Sequence, residues 1–313
     1  MDAMERILLF RENPAPFVSA LRAAGYRGPL TVAESREDAV ALLAEAEVLI
    51  AMRPPADDLS RFTRLRWVQT LSAGVDRWLG AGLGEKVRLT RLVEAFGPAM
   101  AEHVLLVVLA AVKGLTGLQA AQAAHRWAPA RPALLREKRV GVAGYGAIGR
   151  AVGQALHGLG VEVWTLSSRL PGPGPQRRAF TPDRLEAFLS GLDALVSILP
   201  KTAATTGMWN RRTLQMLPRG AIFVNVGRGS ALVEEDLPPL LASGHIAFAA
   251  LDVFSTEPLP RDNPLWDAPN LLVTPHVSAP TRDREAAREV AENLRRDAEG
   301  RPLPGTVDRE RGY

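Results

Sequence analysis

The sequence predicts an α/β protein built on two doubly wound parallel sheets, and three observations carry that prediction. The first is the run from Lys138 to Gly149. An apolar stretch, Val140–Ala143, reads as a short buried strand, feeds Gly144-x-Gly146-x-x-Gly149, and turns helical through Ala151, Val152, Ala155 and Leu156. The second is regular alternation of strand and helix patterns after Lys138. The third is a smaller version of the same alternation in the first ninety or so residues.

In chain order, residues 6–10 read as a strand, 17–24 as a helix, and 48–51 and 66–70 as strands. The apolar segment from Ala99 to Ala124 contains no proline and reads as one long helix, with Glu102 and His103 on its first turns. Strands follow at 140–143, 161–166, 194–199, 221–226, 247–251 and 271–274, with helices near 147–158, 182–190, 210–216, 234–243 and 281–298. Six strands with their helices make one nucleotide-binding domain over residues 96–278. Residues 1–95 form the first part of the other domain, and the helix within 279–313 carries the chain back to it. One domain is thus inserted in the other, as a length of 313 residues makes natural.

Composition narrows the function. There are no cysteines, so disulfides, thiolate metal sites and cysteine nucleophiles are excluded, and no metal site is expected. Met1–Arg6 lacks the basic and apolar regions of a secretory leader. Val104–Val112, the longest apolar run, is too short to cross a bilayer, so a cytoplasmic location is expected. The net charge is only +4, with four lysines and thirty-four arginines scattered among nearly as many acids. No basic block with interleaved aromatics speaks for nucleic acid.

The chemistry lies at strand ends. Gly144 permits a tight turn, Gly146 lets backbone amides approach a pyrophosphate, and Gly149 lets the helix pack closely on the strand. The helix N-terminus beyond them favours anionic phosphates. Arg228, in Asn225-Val-Gly-Arg-Gly-Ser230, follows a strand, with glycines on both sides to clear space around a guanidinium that suits a carboxylate. Glu257 follows the strand ending at Leu251, and His276 follows a strand and a proline. Of five histidines (103, 125, 157, 245 and 276), only His276 has that setting. Together these residues suit hydride transfer to a ketone. His276 would donate the proton, a Glu257 carboxylate would favour the charged imidazole, and Arg228 would hold a 2-keto acid and polarise its carbonyl. Trp127, Trp209 and Trp266 read either as pocket lining or as packing.

In order, the glycine turn, Asn-Val-Gly-Arg-Gly, Asp-Val-Phe-x-x-Glu-Pro-Leu-Pro and Thr-Pro-His resemble the D-isomer-specific 2-hydroxyacid dehydrogenase family. The resemblance spans nearly the whole chain. It implies two Rossmann-like/flavodoxin-like domains, a substrate domain and an inserted cofactor domain, with catalysis in the cleft between them. It implies Arg228, Glu257 and His276 as the catalytic set, and amides at Ala73 and Gly74, in Leu71-Ser-Ala-Gly-Val-Asp76, beside Arg228 on the substrate carboxylate. The implied cofactor contacts are the turn residues Gly144, Tyr145, Gly146, Ala147, Ile148 and Gly149, then Leu199, Pro200 and Thr205, then Val226, Asp252 (on the nicotinamide carboxamide) and His276. The helix with Glu102 and His103 resembles the family's interdomain and dimer-forming element, which makes those two residues structural and implies a homodimer.

An NAD site usually carries an acid about 20 residues beyond the glycines for the ribose 2′-hydroxyl. Here that strand ends in Ser167, Ser168 and Arg169. Two hydroxyls and a guanidinium suit a 2′-phosphate, with Arg177 and Arg178 as further candidates; stacking of Arg169 on the adenine is the alternative. The pattern resembles the NADPH-preferring glyoxylate/hydroxypyruvate reductases, with NAD possible and a small 2-keto or 2-hydroxy acid as substrate. Glu257 stands where formate dehydrogenases carry glutamine. A D-3-phosphoglycerate dehydrogenase activity, or a non-enzymatic co-repressor role with the dinucleotide as a structural ligand, are the alternatives.

Overall fold

The computed structural model describes residues 6–313, so the opening Met1–Glu5, on which the reading of no leader chiefly rested, lies outside the described residues. Among the described residues the chain forms two parallel sheets, of five and seven strands. It divides into two units, one reaching to Phe96 and resuming at Thr281–Tyr313, the other Gly97–Pro280.

The first unit runs β1 (Ile7–Phe10), α1 (Ala15–Ala23), β2 (Thr31–Ala33), α2 (Arg36–Leu43), β3 (Val48–Ala51), β4 (Trp67–Thr70), α3 (Asp76–Leu79) and β5 (Arg88–Thr90), with sheet order β2-β1-β3-β4-β5. β3 and β4 are buried along their whole length; β3 accordingly reads as an unbroken apolar run, while β4 buries the polar Gln69 and Thr70 as well. β2, α2, α3 and β5 were not anticipated. β2 and β5 have three residues each and partly exposed patterns, too short for periodicity to register.

The second unit opens with two helices where the sequence suggested one. α4 (Gly97–Val112) and α5 (Leu115–Ala123) meet at a 63° bend. The break is Gly114, which sits in the left-handed region at φ 65°. A left-handed glycine ends a helix as effectively as a proline, and Lys113-Gly114 carries that signal. Met100, Val104, Val107 and Val108 face the core of this unit, and Leu106 on the opposite side is exposed. No single helix among the described residues is long and apolar enough to cross a membrane, although α4 and α5 would suffice together as a bent pair.

Then come β6 (Arg139–Ala143), α6 (Ala147–Gly158), β7 (Glu162–Leu166), β8 (Arg178–Phe180), α7 (Leu185–Leu189), β9 (Ala194–Ser197), α8 (Arg211–Leu214), β10 (Ala221–Asn225), α9 (Leu237–Ala242), β11 (Ile246–Leu251) and β12 (Leu271–Val273). The sheet order is β12-β11-β10-β9-β6-β7-β8. The expected six strands are therefore seven. The addition is the edge strand β8, whose Arg-Ala-Phe sequence has no apolar run to announce it and pairs only with β7. The strand order reverses beside β6, with β7 on one side and β9 on the other, and ligands of open α/β sheets bind over such a point at the carboxyl ends. Last, α10 (Asp283–Ala298) returns to the first unit. There the Asn293 side chain donates to Gln69 Oε1 at 2.7 Å, and the Glu289 carboxylate accepts from the amides of Val93, Glu94 and Ala95.

Candidate active site

Six adjacent parallel strands of the larger sheet deliver their carboxyl ends to one edge, and the glycine turn, Ser167–Arg169, Leu199, Arg228, Glu257 and His276 all follow those ends. Neighbouring strands lie about 4.8 Å apart, so β7 to β12 spans roughly 24 Å, room for an elongated ligand.

At the end of β6, Gly144 adopts φ 93°, and a Cβ there would come within 2.6 Å of the Ile198 carbonyl oxygen. A Cβ on Gly149 would fall 2.1 Å from the Gly144 oxygen, so α6 leaves the turn at a distance only glycine allows. Gly146, the N-cap of α6, is exposed, and a Cβ on it would meet nothing within 4 Å. Its open face, with Ala147 and Ile148 in a first turn free of acidic residues, forms a cradle that fits a pyrophosphate. Tyr145 turns the other way, into the core beside Val152. Burial pushes its phenol above the ordinary range.

Beyond β7, Ser168 and Arg169 are exposed, and the half-buried Ser167 hydroxyl donates to the Arg169 carbonyl. Arg178 does not join them. It lies in β8 with its guanidinium 5.0 Å from the Trp164 ring, which it stacks upon, and Arg177 is fixed through its amide to the Val163 carbonyl at 2.7 Å. Following β9, Leu199-Pro200 enters a turn that Thr205 closes on itself. The Thr205 hydroxyl donates to the Pro200 carbonyl at 2.6 Å and accepts from the Thr202 amide at 3.0 Å.

Past β10, the buried Asn225 accepts from the Gly227 amide at 3.3 Å and donates to the Arg228 carbonyl at 3.0 Å. The sequence named this asparagine only as part of a motif; here it builds the turn that presents Arg228. The flanking glycines have a further reason, set by packing. A Cβ on Gly227 would sit 2.6 Å from the Leu199 nitrogen, and one on Gly229 would sit 1.9 Å from the Phe254 carbonyl carbon. Two neighbouring backbones require them. Val226 is a core residue whose amide bonds to Ser197 at 3.0 Å.

The last two strands bring Glu257 and His276 together, with Glu257 Oε2 2.8 Å from His276 Nδ1. Its other oxygen accepts from the Phe254 amide at 3.0 Å, which fixes the carboxylate plane. An acceptor at Nδ1 requires the proton there, leaving Nε2 as the outward nitrogen of an exposed ring. His276 itself adopts φ 55°, a conformation unfavourable for a residue with a Cβ. Asp252, which is 1% exposed, enforces it. Its backbone carbonyl accepts from the His276 amide at 2.9 Å. Its carboxylate accepts from the Thr274 hydroxyl at 2.6 Å and from the amides of Val277 and Ser278, each at 2.9 Å. This clamp was not legible, because its partners lie more than twenty residues away. His103, on α4, feels Asp252 as well: burial pushes its imidazole down and the carboxylate pulls the other way.

Among the tryptophans, Trp209 is packing, fully buried with its indole donating to Ser197 at 2.8 Å. Trp127 and Trp266 are exposed. In the first unit, Ala73 and Gly74 follow β4 in a loop held by the Ser72 hydroxyl, which donates to the Gly74 carbonyl at 2.7 Å. Among the described residues no group of three or more acidic or histidine side chains forms a metal site.

Comparison with known proteins shows what the chain is similar to. The family model for the NAD binding domain of D-isomer specific 2-hydroxyacid dehydrogenases matches residues 105–278. Glyoxylate/hydroxypyruvate reductase A of Klebsiella pneumoniae (strain 342) is 37% identical over 278 residues, covering 86% of this chain and 88% of that protein. A D-isomer specific 2-hydroxyacid dehydrogenase from Xanthobacter autotrophicus Py2, solved with NADPH and MES, superposes with a TM-score of 0.89 at 35% identity, over 99% of this chain and 100% of that one. An NADPH-dependent glyoxylate/hydroxypyruvate reductase from Sinorhizobium meliloti, solved with NADP and sulfate, gives 0.90 at 29% identity over the same shares.

Proposed function

The chain belongs to the D-isomer specific 2-hydroxyacid dehydrogenase family, and from that premise we propose that it reduces a small 2-keto acid, glyoxylate or hydroxypyruvate foremost, to the D-2-hydroxy acid with NADPH preferred over NADH. The observation that carries the reading is the Glu257–His276 pair, 2.8 Å apart, at the same sheet edge as the glycine cradle. The chemistry a bound NADPH brings is a hydride for the carbonyl carbon. His276, charged, gives its Nε2 proton to the carbonyl oxygen as the hydroxyl forms. Glu257 accepts the hydrogen bond from Nδ1–H and so fixes the ring with Nε2 toward the substrate. Arg228 holds the substrate carboxylate and polarises the carbonyl.

The cradle of Gly144–Gly149 would hold the pyrophosphate, and Ser167, Ser168 and Arg169 the 2′-phosphate. The exposed serine and arginine at the end of β7, with no acid among those three residues, support the preference for NADPH, as do the dinucleotides bound by the similar structures. Leu199, Pro200, Thr205, Val226 and Asp252 complete the cofactor contacts, the last three through groups already engaged in shaping the loops. Asp252 reaches the carboxamide only if its carboxylate accepts a further bond. We assign a homodimer on the same family reading, and exposed Leu106, Leu115 and Leu118 on α4 and α5 support the dimer.

The test is steady-state oxidation of NADPH and of NADH with glyoxylate, hydroxypyruvate and 3-phosphohydroxypyruvate. Turnover with NADPH and a two- or three-carbon keto acid is expected. Preference for the phosphorylated substrate would move the assignment to a phosphoglycerate dehydrogenase. Tight dinucleotide binding with no turnover of any pair would favour the binding-module alternative.

A further inference from the structure

The connection from β7 to β8 carries Ser167, Ser168 and Arg169 and then runs through Pro171-Gly-Pro-Gly-Pro175. Its ends are pinned by ladder bonds, the Ser167 amide to the Phe180 carbonyl at 3.1 Å and the Arg177 amide to the Val163 carbonyl at 2.7 Å. Between them, two glycines leave the backbone free to take many shapes. The Gln176 side chain restrains its far half. Gln176 folds back so closely over Gly174 that a Cβ there would lie 2.4 Å from its Oε1. Its Nε2 donates to the Gly172 carbonyl at 2.9 Å. A carbonyl only accepts, so that bond orients the amide and leaves Oε1 as the acceptor for a second partner. Oε1 then accepts from the Tyr145 hydroxyl at 3.4 Å, a long bond for a hydroxyl donor.

Tyr145 stands between the first two glycines of the cradle. It is 6% exposed, and a Cβ on Gly153 would lie 2.7 Å from its hydroxyl oxygen, so the ring lies across α6 in space that a glycine leaves open. Ring and helix are rigid. The loop is thereby referenced to the one part of the domain whose geometry the glycines dictate.

We infer that Gln176 and Tyr145 form a positioning pair that holds the loop bearing Ser167, Ser168 and Arg169 in register with the glycine turn, and so sets discrimination between NADPH and NADH. The inference rests on the reading above that these three residues hold the 2′-phosphate. Holding a loop in its bound shape removes the ordering cost from the binding step. Only a cofactor with a 2′-phosphate uses that loop, so only NADPH gains.

The experiment measures KM and kcat with NADPH and with NADH for Gln176→Leu, Tyr145→Phe, the double variant and Arg169→Ala, with thermal unfolding of each. Gln176→Leu and Tyr145→Phe are expected to raise KM for NADPH threefold to tenfold, the double variant by no more than the larger single effect. In Gln176→Leu, KM for NADH and kcat at saturating NADPH stay within twofold of the parent. A merely structural role would instead raise both KM values together and lower the unfolding temperature, and that result would overturn the inference. An unchanged NADPH-to-NADH ratio in both single variants would overturn it too. Arg169→Ala separates the two readings. If it collapses the ratio while the Gln176 and Tyr145 variants do not, the positioning pair alone is wrong. If it leaves the ratio unaltered, the phosphate site is misassigned and the positioning pair falls with it.

Discussion

Between Asp252 and His276 the protein holds one histidine in an unfavourable backbone conformation. Asp252 does so by accepting through both carboxylate oxygens from the three residues Thr274, Val277 and Ser278, so that the ring meets Glu257. Replacing the base of this arrangement should therefore resemble replacing the histidine. His276→Ala should lower kcat by about 10²-fold or more, with NADPH affinity by fluorescence titration little changed. Asp252→Asn sets an amide donor against backbone N–H groups, and we expect a fall in kcat together with a lower unfolding temperature. Retention of full turnover in Asp252→Asn would show that the loop keeps its shape without the carboxylate. Arg228→Ala should chiefly raise KM for the keto acid, because the guanidinium is assigned to the substrate carboxylate. Of this site, Arg228, Glu257 and His276 were visible as reactive side chains after strands. Asn225 as a turn-builder and Asp252 as a clamp were not, since neither role has a local signature.

At the scale of single elements, the strongest periodic signals identified the elements and the weakest failed. The strand of Val140–Ala143 and the helix beginning at Ala147 were legible because a continuous apolar run and a glycine turn adjoin. The break between α4 and α5 was missed because the mainly apolar, proline-free composition of residues 99–124 outweighed Gly114. That glycine now gives a prediction. At φ 65°, Gly114→Ala puts a Cβ into the left-handed region, at a cost of about 1 kcal/mol. Nothing lies within 4 Å of the added atom, so backbone strain is the whole effect. Urea unfolding should register it as a lower midpoint with kcat unaltered.

For the molecule as a whole, the first unit is completed by the far end of the chain, and Glu289 of α10 is central to that closure. Its carboxylate accepts from the Val93 amide at 2.5 Å and the Glu94 amide at 3.1 Å, yet burial outweighs these donors and pushes its pKa up from 4.5. The folded state thus holds the proton more tightly than the unfolded chain. The stabilising contribution of this proton is complete below about pH 4.5, the ordinary carboxylate value, and is lost as pH rises through the raised value. Glu289→Gln removes the titration. The stability of the parent relative to that variant, from urea unfolding between pH 4 and pH 8, should therefore fall as pH rises. A difference that grew with pH would reverse the sign and show that the three amides outweigh burial.

By itself the sequence determined the α/β class, the glycine cradle, the reactive residues at strand ends and the absence of cysteine chemistry. Each of these is written in neighbouring residues, through side-chain periodicity, the backbone freedom of glycine, or an outright absence from the composition. Only the tertiary structure decided that Glu257 and His276 meet, that Gly227 and Gly229 make way for Leu199 and Phe254, that β8 closes the sheet edge, and that Gln176 reaches Tyr145. These depend on which backbones pass within a few ångströms of each other. Such contacts join residues far apart in the chain, where no local pattern records the distance.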